Sequence, residues 1–311
     1  MLLILGDSVT WGQGLDPARK LDQRLPQLLA ATHPGLNALS LAHSGAVIGV
    51  DATEGDPDPS REVPVADPTI LAQVSFAVKD AALVSAVVLY GGIYDVNIRV
   101  IVNPFTSSGH LDGLIEQHCF HGMVKLLDTV AASFPDDGVP ILVVGYYPIL
   151  SHNTGPQEFP KILEAYSLTD RETFSALSNE EAAARWRGSV GNCLAFWQQS
   201  DDCLSRAVKE FNASRASTRA HFIQLPFEEK NAVFASEPWL WQVDEHIRPE
   251  DDVVSRRRDA CRVSPNVSHG GPSALFTCDR ASVGHPNRTG ADVMARAVAA
   301  TLEVLLDTHG E

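Results

Sequence analysis

The chain has 311 residues, of which 44% are hydrophobic and 20% are charged, and its formal net charge at pH 7 is −15. This apolar content is enough for a substantial core and excludes a disordered chain. The acidic balance argues against a nucleic-acid or anionic-membrane partner, because phosphate binding requires clustered Lys and Arg. We therefore expect a globular protein that does not bind nucleic acid.

No stretch of the sequence approaches the ~20 apolar residues that a membrane span needs. The first apolar run, Leu2–Leu5, is short and has no basic region before it, so it does not have the pattern of a signal peptide. The sequence predicts a soluble chain that is cytoplasmic as written, or secreted if a signal has been removed. The oligomeric state is left open.

Five short apolar runs predict the strands of one sheet. They are Leu2–Leu5, Leu36–Leu41, Leu83–Leu89, Ile141–Val144 and His221–Leu225. Amphipathic stretches predict helices between them, with a leucine face from Leu21 to Leu29, a helix from His110 to Ser133 and a last helix from about Thr289 to Leu306. This alternation predicts an α/β fold in one domain over residues 1–311, with three α/β/α layers around a mostly parallel five-stranded sheet.

Two long polar segments with little periodicity interrupt this alternation, at about 150–200 and 227–274. Long insertions in a compact domain are usually lids or functional loops, so we expect them to form a cap. They carry four of the five tryptophans, Trp186, Trp197, Trp239 and Trp241. Together with Trp11, these side chains could line an acyl-binding wall or form the core of the cap.

The five cysteines contain no C-x-x-C pair, which argues against a structural zinc site. Their odd number excludes complete internal pairing, although Cys193 with Cys203 and Cys261 with Cys278 could close loops in an oxidising compartment. His118 and His121 lie one turn apart on a predicted helix, but no third ligand follows at a matching spacing. We therefore expect no metal and no cofactor.

A serine follows the first predicted strand in Gly6-Asp7-Ser8, before a predicted helix. In a parallel sheet, ligands bind beyond the carboxyl ends of the strands, which is where this turn is expected. Serine becomes a useful nucleophile only when a histidine takes its proton. One candidate is His285, which precedes the last predicted helix in Gly284-His285-Pro286-Asn287.

Together these motifs resemble the SGNH/GDSL hydrolase family over most of the chain, from Leu2 to Leu305, with the two insertions as departures. The resemblance implies a flavodoxin-like fold in which Ser8 is the nucleophile and His285 is its general base. It also implies an oxyanion hole, the set of donors that stabilises the negative oxygen of the tetrahedral intermediate. The Ser8 N–H and the N–H of Gly45, in Ser44-Gly45 after the second strand, would belong to it.

The sequence departs from the family pattern at two positions. In the G-x-N-D block, Tyr94 stands where the family has an asparagine that donates to the oxyanion. The phenol of Tyr94 or the amide of Asn97 could supply that donor, or the donor is missing, which can cost ~10²–10³ in turnover.

The second departure concerns the acid that orients the histidine. In the D-x-x-H-P block, Ser282 stands three residues before His285, where the family has aspartate. The nearest carboxylate is Asp279, six residues before the histidine. Alternatively, the two catalytic residues form a dyad oriented by a backbone carbonyl or by Ser282.

The leading hypothesis is a serine ester hydrolase that forms an acyl-enzyme on Ser8 and acts on a small-molecule, lipid or carbohydrate ester. One alternative is a catalytically impaired carbohydrate- or lipid-binding protein of the same fold. Another is an acyltransferase that uses the same serine. The ester class is left open, because one fold supports many substrates.

Overall fold

The structure is a computed structural model and describes residues 1–49 and 60–308. The acidic run Glu54–Asp58, which the sequence predicts as a solvated loop, lies outside the described residues.

Five parallel strands form one sheet with the order β2-β1-β3-β4-β5. The strands are β1 Leu2–Gly6, β2 Ala38–Ser40, β3 Ala86–Tyr90, β4 Ile141–Val144 and β5 Ala220–Ile223. Each overlaps one of the predicted apolar runs, which confirms the predicted five-stranded α/β fold. Residues of β1, β3 and β4 are buried throughout, as expected for parallel strands covered on both faces.

The helices of the described residues alternate with these strands and include several short ones. Up to β4 they are α1 Ser8–Trp11, α2 Leu21–Leu29, α3 Ile70–Ala77, α4 Ile93–Val96, α5 Ile98–Val102, α6 Ser108–Ile115 and α7 Met123–Ser133, with a π-helical segment Glu116–Gly122 between the last two. After β4 they are α8 Phe159–Ala165, α9 Arg171–Ser175, α10 Asn179–Ala213, α11 Val254–Val263, α12 Pro265–Ser268, α13 Gly271–Asp279 and α14 Arg288–Thr308. Short 3₁₀ segments span Pro17–Arg19, Val78–Leu83 and Glu229–Asn231.

The strand order assigns the helices to two layers. Connections between parallel strands are right-handed, so the step from β1 to β2 places α2 on one face of the sheet. The steps from β2 to β3, β3 to β4 and β4 to β5 run in the opposite direction and place α3, α7 and α10 on the other face. The last helix, α14, packs against α2 and completes the first layer.

The second half of the predicted insertion at 150–200 does not belong to the expected cap but to a helix of the main fold. Residues 179–200 belong to the 35-residue helix α10, which packs against α7 and β5 as part of the main helical layer. The sequence contains a start signal for this helix. Ser178 accepts from the Glu181 N–H while the Glu181 side chain accepts from the Ser178 N–H, a capping box.

Of the two cysteine pairs that the sequence allows, only one is bonded. Cys261 on α11 and Cys278 on α13 form a disulfide that closes a separation of 17 residues. Cys193 and Cys203 are free and buried on α10, so the pairing considered for them is wrong. The disulfide ties together two helices of the second insertion and its flank.

No helix among residues 1–49 and 60–308 is long and apolar enough to cross a membrane.

Candidate active site

A cavity of about 330 Å³ opens at the carboxyl ends of the strands. It brings together four of the residues predicted from sequence, namely Ser8, Tyr94, Asn97 and His285. Gly45 does not line the cavity itself, but its neighbour Ser44 does. Asp279 and Ser282 do not line the cavity.

The turn that carries Ser8 is held by backbone contacts on both sides. Asp7 caps the short helix α1, because its Oδ1 accepts from the Val9 N–H at 2.9 Å. Gly6 has φ +149°, and a Cβ there would come within 2.4 Å of the Tyr90 carbonyl oxygen. Only glycine fits this close approach between strand ends.

A buried glutamine stabilises the same turn. Gln73 on α3 accepts from the Gly6 N–H at 2.9 Å and donates to the Gly6 carbonyl at 3.0 Å. Both polar groups of Gly6 are thereby paired in a region without access to water. Gln73 was not identified from sequence, because nothing in a helix-forming stretch indicates which amide will reach a strand 67 residues away.

The loop that carries His285 is paired with the second insertion. The Trp241 N–H donates to the His285 carbonyl at 2.8 Å, and the Gly284 N–H donates to the Trp241 carbonyl at 3.0 Å. Gly284 has φ +79°, a conformation that favours glycine. The insertion therefore supports the histidine loop from behind, while the cavity lies in front of it.

The two predicted residues meet across 277 positions of sequence, with Ser8 Oγ 2.6 Å from His285 Nε2. His285 Nδ1 lies 3.2 Å from the carbonyl of Ser282, which can only accept a hydrogen bond. A neutral imidazole has one N–H, so this contact assigns the proton to Nδ1 and leaves Nε2 to accept from the serine hydroxyl.

Burial lowers the pKa of His285 to about 4, because the charged imidazolium loses its hydration. The nearby Arg257 lowers the pKa further, whereas the hydrogen bond to Ser282 and the charge of Asp251 raise it. The imidazole is therefore neutral, and able to accept a proton, throughout the neutral pH range.

Asp279, the carboxylate considered as the orienting acid, does not contact the imidazole. Its Oδ2 accepts from Arg258 at 3.2 Å, and its backbone carbonyl accepts from Arg257. The group at Nδ1 is instead the carbonyl of Ser282, which corresponds to the dyad alternative. Helix α13 continues to Asp279, so this side chain is carried away from the loop that follows.

A second carboxylate reaches the same loop from the insertion. Ser282 is fully buried and its Oγ donates to Asp251 Oδ2 at 2.5 Å. Asp251 also forms an ion pair with the fully buried guanidinium of Arg257. Ser282 stands where the D-x-x-H-P pattern has aspartate. It is thus itself hydrogen bonded to an aspartate, Asp251, which lies 31 residues earlier in the chain.

The ion pair continues away from the cavity as a buried chain of charges. Arg257 Nη1 lies 3.8 Å from Glu62 Oε2, and Glu62 Oε1 accepts from Lys20 Nζ at 2.9 Å. Trp11 and Gln13 add hydrogen bonds to the Glu62 side chain. Buried charges are stable only when paired in this manner. This network of paired charges therefore holds α1, α11 and the Ser282 loop together.

The two backbone donors expected for an oxyanion lie on neighbouring strand ends. Among the described residues, neither the Ser8 N–H nor the Gly45 N–H donates to a protein acceptor. Gly45 has φ +84°, and a Cβ there would come within 2.5 Å of the Val65 nitrogen. Only glycine therefore allows the loop after β2 to pack this closely.

Asp95 connects the loop after β2, which carries Gly45, to the G-x-N-D block after β3. Its carboxylate accepts from the Ile48 N–H at 2.9 Å and the Gly49 N–H at 3.4 Å. It therefore holds the loop that carries Gly45 against α4, which carries Tyr94. The aspartate of the G-x-N-D block was visible in the sequence, but this bracing role was not.

Tyr94 and Asn97 both line the cavity. Burial raises the pKa of the Tyr94 phenol, so its hydroxyl stays protonated and able to donate. Asn97 caps α5, with Oδ1 accepting from the Arg99 N–H at 2.9 Å. This bond occupies the amide oxygen and leaves its NH₂ group as the available donor.

The aromatic part of the cavity wall consists of tyrosines. Tyr94, Tyr147 and Tyr166 line it, and none of the tryptophans does. Trp186 instead donates to the Thr154 carbonyl, and Trp239 packs edge-on against Phe227. An acyl-binding wall of tryptophans, one of the two readings of these residues, is therefore wrong.

The two histidines considered for metal binding lie on the π-helical segment. His118 Nδ1 is 3.8 Å from Asp95, and the His121 ring packs against Phe120. Among the described residues, no group of three or more His, Cys, Asp or Glu side chains could hold a metal ion.

Comparisons with known proteins give structural matches only. No protein-family model matches the chain, and no curated protein matches it. The lipase Lip_vut3 from a goat rumen metagenome has 13% identity and a TM-score of 0.46, over 96% of this chain and 95% of that one. The carbohydrate acetylesterase Est24 from Sinorhizobium meliloti has 13% identity and a TM-score of 0.47, over 98% of both chains.

A third match is a protein from Parabacteroides merdae described as a GDSL-like lipase, with 12% identity and a TM-score of 0.40 over 98% of this chain and 95% of that one. All three matches span nearly the whole of this chain, with TM-scores below 0.5.

Proposed function

We propose that this protein is a serine ester hydrolase of the SGNH/GDSL type, with Ser8 as nucleophile and His285 as general base. The observation that carries the proposal is the 2.6 Å contact between Ser8 Oγ and His285 Nε2 on the wall of a cavity. A nucleophile and its base within hydrogen-bond reach, with the base oriented by a third group, form the arrangement that activates serine.

In the proposed reaction, Ser8 Oγ attacks the ester carbonyl carbon while its proton passes to Nε2 of His285. The negative oxygen of the tetrahedral intermediate accepts from the N–H groups of Ser8 and Gly45. The carbon–oxygen bond to the alcohol then breaks, and the imidazolium gives its proton to the departing alkoxide. Water attacks the acyl-enzyme by the same sequence, with His285 as base and then acid, and releases the carboxylic acid and free Ser8.

A third oxyanion donor would come from the wall near α4. We assign this role to the Tyr94 hydroxyl or the Asn97 NH₂ group, since both side chains line the cavity with Ser8. Removing one such donor typically lowers turnover by ~10²–10³. Comparing Tyr94→Phe with Asn97→Ala separates the two, because only loss of the true donor lowers kcat by that factor while leaving KM nearly unchanged.

The orienting role belongs to the Ser282 carbonyl and, through the Ser282 hydroxyl, to Asp251. A negative charge two hydrogen bonds away stabilises the imidazolium less than a direct aspartate does. The site is therefore expected to have a weaker base than a full triad, consistent with the lowered pKa of His285.

The test is labelling by a fluorophosphonate probe together with hydrolysis of p-nitrophenyl acetate and longer-chain p-nitrophenyl esters. We expect the wild type to label and to hydrolyse, and Ser8→Ala to do neither. Ser108→Ala, at an exposed serine outside the cavity, is the matched control and should behave as the wild type. Equal rates for wild type and Ser8→Ala would refute the proposal.

The same measurements separate the alternatives. A folded wild type that binds a carbohydrate or lipid but never labels at Ser8 would indicate a binding protein. A wild type that labels, but transfers the acyl group to an added alcohol in preference to water, would indicate an acyltransferase.

A further inference from the structure

One side of the cavity carries positive charge in a strongly acidic protein. Arg99 and Arg280 both line it, and none of its described lining residues is Asp or Glu. The chain as a whole has 39 acidic and 24 basic residues, so a surface with two cations and no carboxylate departs from its average.

The two arginines lie on the same side of the cavity, although 181 positions separate them in the sequence. Arg99 Nη2 donates to the Ser167 carbonyl at 3.0 Å. The Ser167 hydroxyl is 3.3 Å from that of Thr277, and Arg280 follows Thr277 by about one helical turn. These contacts join the arginine of α5 to the arginine at the end of α13.

Neither guanidinium forms a salt bridge with a carboxylate of the described residues, although Asp279, Glu164 and Asp244 are near enough to act on the charge of Arg280. Among the described residues, no carboxylate oxygen lies within 4.0 Å of Arg99 or Arg280, whereas the neighbouring Asp279 is paired with Arg258. The Arg280 Nε is buried and has no hydrogen-bond partner in the part of the chain that the structure describes. An unpaired buried donor on a cation is costly, and an anion at this point would remove the cost.

The Arg280 side chain is held in place by its own helix. Its guanidinium carbon stacks 3.4 Å from the centre of the Phe276 ring, and Nη1 donates to the Phe276 carbonyl at 2.9 Å. Desolvation by burial lowers the pKa of this arginine, whereas the charges of Asp279, Glu164 and Asp244 raise it. A pre-positioned guanidinium is well suited to an oxyanion, because less side-chain freedom is lost on binding.

Much of the remaining wall is aromatic or aliphatic, with the three tyrosines and apolar side chains such as Ile149 and Val283. A ligand in this cavity would therefore contact apolar surface along its body and positive charge at one side. Ser8 and His285 line the same cavity, so such a ligand could present an ester carbonyl to Ser8.

We propose that Arg280 and Arg99 bind an oxyanion carried by the substrate, so that the preferred substrates are esters with an apolar body and a carboxylate or phosphate group. This inference rests on the proposed function of Ser8. The two arginines are specificity-determining residues, and the chemistry of the reacting centre is unchanged by them.

The test compares esters of similar shape that differ in charge. The substrates are 3-acetoxybenzoate, 3-acetoxyphenyl phosphate and the neutral 3-acetoxybenzamide, measured with wild type, Arg280→Gln and Arg99→Gln. Arg187→Gln makes the same charge change at an exposed arginine outside the cavity and is the matched control. Salt is varied in parallel, because charge-dependent binding weakens as ionic strength rises.

We expect the kcat/KM of the wild type to be about tenfold or more higher for at least one anionic ester than for the neutral ester 3-acetoxybenzamide. The ratio should fall at least fivefold in each cavity variant and stay unchanged in Arg187→Gln. Arg280→Lys should retain part of the preference. A preference for the carboxylate or for the phosphate ester identifies which oxyanion is bound.

Binding to Ser8→Ala separates this inference from the proposed function. Tighter binding of 3-hydroxybenzoate or 3-hydroxyphenyl phosphate than of 3-hydroxybenzamide, by calorimetry, supports the anion site even if no ester is hydrolysed. Hydrolysis without any anion preference, in a wild type that labels at Ser8, overturns the inference and leaves the hydrolase proposal intact. Retention of the preference in both arginine variants also overturns it.

Discussion

Ser282 and Asp251 are joined by a 2.5 Å hydrogen bond, and the carbonyl of the same serine faces Nδ1 of His285. A serine therefore stands between the carboxylate and the imidazole that would touch directly in a triad. The carboxylate comes from an insertion, through a loop whose backbone also pairs with the histidine loop at Trp241. This relationship leads to the first prediction.

Asp251→Asn should lower kcat by about 10–100-fold with little change in KM. Loss of a directly bonded triad aspartate costs about 10⁴, and Asp251 acts only through Ser282. Because the charge of Asp251 raises the pKa of His285, the variant should also move the acidic limb of the pH profile further down. A purely structural residue would not shift that limb.

Asp279→Asn is the control for this prediction, because it makes the same chemical change at a carboxylate paired with Arg258. Its kcat should stay within about twofold of the wild type. A larger loss in Asp279→Asn than in Asp251→Asn would contradict the assignment. Circular dichroism of both variants verifies that they are folded.

The pH dependence of activity provides a second prediction. The neutral form of His285 is the active base, and burial lowers its pKa to about 4. The value of kcat/KM should therefore hold as pH falls through 6.5 and decline only near pH 4. Hydrolysis of a neutral ester followed by pH-stat titration measures this, and a half-maximal point near pH 6.5 would rule out the proposed environment.

Asp7 supports a prediction about stability. It is fully buried, its Oδ2 has no hydrogen-bond partner among the described residues, and burial raises its pKa to about 8. Because the folded pKa exceeds the unfolded one, the group opposes folding increasingly as pH rises from about 4 to 8.

Asp7→Asn removes this titration and can still accept from the Val9 N–H. The free energy of unfolding of the variant minus that of the wild type should rise by roughly 1.4 kcal/mol per pH unit across that window. Urea unfolding at pH 5, 6, 7 and 8 gives the comparison. A difference that is flat with pH would show that Asp7 does not titrate there.

Gln73 supports a prediction about the turn that holds the nucleophile. Gln73→Leu removes both bonds to Gly6, which leaves the buried Gly6 N–H without its partner, while the Gly6 carbonyl keeps the 3.3 Å bond from the His43 N–H. An unpaired buried group costs about 1–3 kcal/mol, so we expect a loss of that size in the free energy of unfolding. Activity of the folded fraction should fall as well, because Ser8 lies two residues from Gly6.

Gln23→Leu, at an exposed position on α2, is the matched control and should change stability by no more than about 0.5 kcal/mol. Denaturant unfolding of both variants, with the label incorporated per folded molecule, separates stability from positioning. Equal stability of the two variants would contradict the role given to Gln73.

Much of the fold was predictable because the sheet is buried on both faces. Strands such as Leu2–Gly6 and Ile141–Val144 are apolar throughout, and this pattern is visible in the sequence. Helix α10 was missed over residues 179–200, which were assigned to the insertion, because its first nine residues, 179–187, include no fully buried side chain and so show no continuous apolar face. Its capping box was the local signal that could have identified its start.

The candidate site, like the fold, was predictable from the sequence only in part. The sequence by itself determined the serine turn and the histidine loop, since a strand end, a glycine that fits close backbone packing and a helix start are local properties of a few residues. Only the tertiary structure decided the partner of Ser282, the amide that holds Gly6 and the placement of Arg99 and Arg280 on the wall of one cavity. These pairs are 31, 67 and 181 positions apart in the sequence, and their placement depends on how distant segments pack, which no local pattern of residues encodes.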